Sequence, residues 1–194
     1  MARYLLFIHG YQGSSQSYKG ACLRQYLQTH NPDTVLLIPQ LACYPQPAWL
    51  QIREILDTFA GELIGIVGAS MGGLMAAKAS VDSGLPAVLV NPLADLSIVT
   101  NLLGEHIHPQ TQEQYRLNTK HLEQLKEMQI APERCSQRQW LILQTGDELL
   151  DFQQALKMYP HTKQTIECGG NHGFAGFARY VPAIIQFLLN NKKI

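Results

Sequence analysis

A run of small residues, Gly68-Ala69-Ser70-Met71-Gly72-Gly73, follows directly on the apolar stretch Leu63 to Val67. It leads into Met71–Ser83, a helix-like segment that is itself rich in small residues. A strand that turns this abruptly into a helix crowds the neighbouring side chains, and glycines two residues either side of the serine relieve the crowding. The turn lifts the Ser70 hydroxyl above a strand's carboxyl end. It also aims the amino end of the next helix at the same point, where developing negative charge is favoured. A bare G-x-S-x-G arises often by chance, so the flanking strand and helix give this one its weight. The competing reading is a glycine-rich phosphate loop, which loses support because no G-K-[ST] follows.

The rest of the chain alternates in the way such a turn requires. Short apolar runs at Tyr4–Ile8, Thr34–Ile38, Leu63–Val67, Ala87–Val90 and Trp140–Gln144 read as strands, and Gln164–Glu167 reads as a sixth. Most are continuous rather than alternating, as expected of strands buried on both faces; the sixth alternates and is expected at an edge. Helix-like stretches separate them: Ser17–Thr29, Ala48–Ala60, Met71–Ser83, Phe152–Met158 and a last one carrying Val181, Ile184, Ile185, Leu188 and Leu189. The expected fold class is α/β, a mostly parallel central sheet flanked by helices, in a single domain over 1–194. The stretch Asp95–Ser136 interrupts the alternation. It is more polar and holds helix-like pieces such as Lys120–Met128, which suits a helical cap or lid.

Composition excludes several classes of function. Fifteen basic and fifteen acidic residues cancel, and no basic block precedes the terminal Lys192-Lys193, so no electrostatic footprint for nucleic acid or an anionic membrane is present. No stretch approaches the roughly 18 apolar residues that span a bilayer. The apolar run at the amino end is too short for a signal peptide, so the cytoplasm is the expected compartment. Cys22, Cys43, Cys135 and Cys168 are widely spaced and read as free thiols rather than a zinc or redox pair. His106 and His108 resemble a metal pair but lack a third ligand at suitable spacing; with His30, His121 and His161 they are expected to face solvent. No metal or organic cofactor is expected. The sequence carries no signal for an oligomeric state.

Three further segments belong with Ser70. His9-Gly10-Tyr11 ends the first strand, and the loop after an early strand supplies one oxyanion-binding amide in a fold of this kind. The backbone N–H groups of Tyr11 and Met71 are the candidate donors, with His9 holding the loop. Gln144-Thr145-Gly146-Asp147-Glu148-Leu149-Leu150-Asp151 leaves the fifth strand. An acid there can orient a histidine by accepting its N–H. Asp147, nearest the strand end, is favoured. Asp151 is the alternative acid, although it also reads as the N-cap of the following helix; Glu148 is expected to face solvent. Gly169-Gly170-Asn171-His172 then places a candidate general base after the acid, in the chain order Ser…Asp…His.

The chain also resembles the small bacterial YqiA-type esterases (UPF0227) of the α/β-hydrolase superfamily. The resemblance covers nearly all of it and rests on Ile8-His9-Gly10-Tyr11, Ser17-Tyr18-Lys19, Gly68–Gly73, Asn91-Pro92, Thr145–Glu148 and Gly169–His172. It implies a compact α/β-hydrolase that acts as an esterase on simple acyl esters, or on thioesters such as acyl-CoA, in a Gram-negative cytoplasm. The small-molecule substrate is therefore expected to be an acyl ester, with acyl-CoA thioester hydrolysis as the alternative. From a different class, a non-catalytic binding module on the same fold usually lacks a triad residue, and this sequence carries all three.

Overall fold

The computed structural model describes residues 3–192. Eight strands and six α-helices follow one another in the order β1 (Arg3–Ile8), α1 (Tyr18–His30), β2 (Thr34–Leu37), α2 (Pro45–Thr58), β3 (Leu63–Ala69), α3 (Met71–Ser83) and β4 (Ala87–Val90). Then come β5 (Gly104–Ile107), β6 (Gln114–Leu117), α4 (Thr119–Met128), β7 (Gln139–Gln144), α5 (Phe152–Met158), β8 (Lys163–Glu167) and α6 (Val181–Asn191). Six strands form one wholly parallel sheet in the order β2-β1-β3-β4-β7-β8. The strand expected at an edge, β8, lies there.

Alternating side chains on buried strands feed two cores, one per face. Leu6, Ile8, Ile66 and Leu89 pack with Trp49 and Ile52 of α2 and Leu74 and Met75 of α3. On the other face Leu5, Phe7, Val67 and Val88 meet Leu23 and Leu27 of α1 and Ile184 and Leu188 of α6. Each fully buried side chain of this size contributes about 1.5–3 kcal/mol. The register of β1 on β3 slips by one residue, with Tyr4 opposite Leu63 but Leu5 opposite Gly65. Gly65 suits the slip, since a Cβ there would stand 2.7 Å from Leu188 Cδ2.

The helix ends follow from local chemistry. The Ser17 hydroxyl accepts from the Gly20 amide to start α1, and Asp151 accepts from the Gln153 amide to start α5. α2 begins three residues earlier than the hydrophobic pattern suggests, at Pro45-Gln46-Pro47. Prolines are tolerated in a first turn because their missing N–H groups would have no helical partner.

The stretch between β4 and β7 contains α4, which buries Leu125 and Met128 in the core. It also holds a feature the pattern did not suggest: β5 and β6 pair as an antiparallel hairpin. Tyr115 and Leu117 point inward from β6, while its other residues are exposed. Among the described residues no helix is long and apolar enough to cross a membrane.

The chain winds outward to β2 on one side of β1 and returns to β3 on the other. Loops leaving the carboxyl ends of two such neighbouring strands open a crevice, the usual ligand position in an open α/β sheet. Tyr11 leaves β1 there and Ser70 leaves β3.

Candidate active site

Ser70 sits between β3 and α3 with φ 55° and ψ −125°, a strained backbone for any residue with a side chain. The surrounding bonds leave it little freedom. Its N–H donates to the Val90 carbonyl (3.1 Å), and its own carbonyl accepts from the amides of Gly73 (2.8 Å) and Leu93 (2.9 Å). The turn also needs Gly72, because a Cβ at that position would fall on the carbonyl oxygens of Ile8 and His9.

The structure brings Ser70, His172 and Asp147 together. His172 Nε2 lies 3.0 Å from Ser70 Oγ, and His172 Nδ1 lies 2.9 Å from Asp147 Oδ2. An ionised carboxylate can only accept, so the proton belongs on Nδ1 and Nε2 is left to accept from the serine hydroxyl. The Asp147 side chain is only 2% exposed. Burial opposes its ionisation, but hydrogen bonds from His172 and from the amides of Leu150 and Leu149 outweigh it and hold the carboxyl below its usual range. Asp151 is not part of this chain of contacts; it caps α5.

Tyr11 and Met71 border the same crevice, beside Ser70 and His172. Among the described residues neither backbone N–H donates a hydrogen bond. His9 holds the loop that carries Tyr11: Nδ1 lies 2.9 Å from the Gly10 carbonyl, and Nε2 accepts from the Leu41 amide at 3.2 Å. Burial favours the neutral ring and lowers its pKa, against the bond to the Gly10 carbonyl, which raises it.

Several positioning groups had no role in the sequence reading. The buried Asn91 donates to the carbonyls of Asn171 and His172 and accepts from the Gln144 amide. Gln144, also buried, accepts from the amides of Asn171 and Ala175. Glu148 is exposed as expected, yet its carboxylate accepts from the His172 backbone N–H at 2.9 Å. The signal available in the sequence was the placing of Asn91 and Gln144, two polar residues at the ends of otherwise apolar strands.

The hairpin meets the β1 loop through hydroxyl groups: Tyr115 donates to the Tyr11 hydroxyl (2.6 Å) and accepts from Nε2 of the Gln12 side chain (2.9 Å). Burial, followed by this contact with Tyr115, pushes the Tyr11 phenol's pKa up. The expectation that His106 and His108 face solvent is corrected here. His106 stacks on Tyr115 with ring centroids 5.4 Å apart. His108 is buried, and its Nδ1 accepts from the amides of Gln110 and Thr111 to close the hairpin turn. Among the described residues no group of three or more metal-ligating side chains occurs.

Two cavities meet at Ser70 and His172. One, of about 290 Å³, lies beneath the segment between β4 and β7 and is lined largely by aliphatic side chains, including Leu93, Val99, Leu117, Leu122 and Leu125. The other, of about 350 Å³, lies toward α1 and is bordered by Gly13, Ser17, Tyr18, Lys19 and Gly173.

Residues 4–189 match the model of an uncharacterised protein family, UPF0227. Among solved structures the fold is similar to Est1E from Butyrivibrio proteoclasticus, with a TM-score of 0.73 and 14% identity over 98% of this chain and 88% of that one. Alpha/beta hydrolase domain-containing protein 10 from mouse matches with a TM-score of 0.72 and 16% identity, over 96% and 89% of the two chains. The esterase domain of a Rhodothermus marinus protein gives 0.71 and 14%, over 97% and 87%. At these identities the likeness establishes the architecture, which is that of the α/β-hydrolases.

Proposed function

The chain belongs to the UPF0227 family, and from that premise we propose that it is a serine-dependent carboxylic ester hydrolase acting through an acyl-enzyme. The observation that carries this reading is the continuous contact from Asp147 through His172 to Ser70, opening on two cavities that could hold the two halves of an ester.

In this reading Ser70 Oγ attacks the ester carbonyl carbon while His172 Nε2 takes its proton. The Asp147 carboxylate keeps the imidazole in the right tautomer and stabilises the imidazolium that forms. The amides of Tyr11 and Met71 receive the negative oxygen of the tetrahedral intermediate; loss of one such donor costs about 3–4 kcal/mol of activation free energy. His172 returns its proton to the departing alcohol. Water, activated by the same histidine, then releases the acid and restores the serine. The aliphatic cavity suits the acyl chain of a simple ester. Each step here uses side chains and amides of this chain. The Rhodothermus domain carries esterase in its name, which accords with this reading.

A fluorophosphonate probe tests it. Wild-type protein should be labelled at Ser70 and should hydrolyse a p-nitrophenyl acyl ester, while Ser70→Ala should do neither. Equal labelling of the two proteins overturns the reading.

A further inference from the structure

The second cavity contains a group that the mechanism above does not use. Lys19 is the second residue of α1 and lines the cavity together with Ser70 and His172. It is partly buried, and among the described residues it forms no ion pair. Burial lowers its proton affinity, and the carboxylate of Asp147 works the other way. That carboxylate lies outside ion-pairing distance of Lys19. Asp147 already accepts from His172, Leu149 and Leu150, and Glu148 accepts from the His172 backbone.

An ammonium withdrawn from water without a counter-ion in contact is unfavourable, which is why lysines are almost never fully buried unless paired. Here the open side of Lys19 is the cavity that starts at the nucleophile. An ester bound at Ser70 has two arms, and the two cavities diverge from that point. The aliphatic cavity matches a hydrocarbon acyl chain. The arm left for the other cavity is the alcohol, and Lys19 supplies the charge that an oxyanion on that arm would meet.

We propose that Lys19 makes the second cavity a leaving-group subsite for alcohols, phenols or thiols that carry a carboxylate or a phosphate. This rests on the ester hydrolase reading and adds a substrate class to it. A charge-assisted bond from an ammonium to an oxyanion is stronger than one between neutral groups, and it gains further where water is partly excluded. The preference therefore acts chiefly on binding, through KM, since the charge is present before and during the reaction.

Butyrate esters of 4-hydroxybenzoate and 4-hydroxybenzamide have nearly the same shape and differ in charge on the leaving group. Wild type should show a kcat/KM for the anionic ester about tenfold above that for the neutral one, a difference that salt reduces. In Lys19→Met the ratio should fall to near one, whereas Lys19→Arg should keep most of it. The butyrate ester of 4-hydroxyphenyl phosphate, run alongside, identifies which oxyanion is preferred. A wild type indifferent to the charge overturns the proposal without recourse to any variant. So does a Lys19→Met protein with an unchanged ratio, or a preference that appears only when the carboxylate is moved to the acyl arm, as in the glutarate monoester of 4-hydroxybenzamide. Failure to hydrolyse any of these esters, together with no labelling of Ser70, overturns the hydrolase reading itself.

Discussion

The Asn91 side chain donates to the backbone carbonyl oxygen of His172 at 3.3 Å, tying the imidazole's loop to the end of β4. A second bond from the same amide reaches the Asn171 carbonyl, and its oxygen accepts from the Gln144 amide. Asn91→Ala should therefore lower kcat more than it changes KM, because it loosens His172, the proposed base, and leaves both cavities untouched. It also strands a buried N–H and two carbonyls, at a cost of about 1–3 kcal/mol in stability. Thermal unfolding and steady-state kinetics on an acyl ester read the two effects separately; a variant with unchanged kcat would remove Asn91 from the positioning of His172.

The two candidate acids should behave differently. Asp147→Asn keeps the shape of the side chain but reverses the polarity that fixes the His172 tautomer, so kcat should fall by about 10³–10⁴. Asparagine caps helices as well as aspartate does, so Asp151→Asn should keep activity within about twofold of wild type. A larger loss in Asp151→Asn would reverse the assignment.

Tyr115→Phe tests whether the hairpin supports the loop that carries the Tyr11 amide. The change removes the bonds to the Tyr11 hydroxyl and from the Gln12 side chain without altering the ring contacts. About 1 kcal/mol of stability should be lost, along with a several-fold drop in kcat at nearly constant KM. Identical kinetics would make the contact structural only.

His9 should make stability depend on pH. Its folded pKa lies below the usual value, mainly through burial, so near and below about pH 6.5 the unfolded chain binds more protons there than the native one. The stabilisation is complete above that pH and is lost as the pH falls toward the folded pKa. His9→Gln has nothing to titrate. Between about pH 7 and pH 5 the wild-type melting temperature should fall by some degrees more than that of the variant. Parallel curves would contradict the burial argument.

How far the sequence was readable depended on how local each signal was. The buried strands showed themselves because both faces are covered, which makes Leu63–Val67 and Ala87–Val90 continuous apolar runs. The turn at Ser70 was readable from its own glycines and from the segments flanking it. The hairpin was not. Gly104–Ile107 and Gln114–Leu117 are each four residues long, and their inward side chains are few enough to pass for loop. Asn91, Gln144 and Glu148 were unreadable as a group for another reason. They act on a loop that lies from 24 to 81 residues away in the chain, so only the fold brings them to it.

The backbone of Ser70, held at φ 55° by its bonds to Val90, Gly73 and Leu93, has a consequence for how such a chain changes over generations. A residue with a side chain in that conformation costs about 1–3 kcal/mol that glycine would not. Ser70→Gly should accordingly melt at a higher temperature than wild type while losing all hydrolysis; a lower melting temperature would show the strain to be fully relieved by its surroundings. A lineage kept only for its fold would gain by that exchange. Retaining serine here means forgoing stability at the one position where its hydroxyl meets His172.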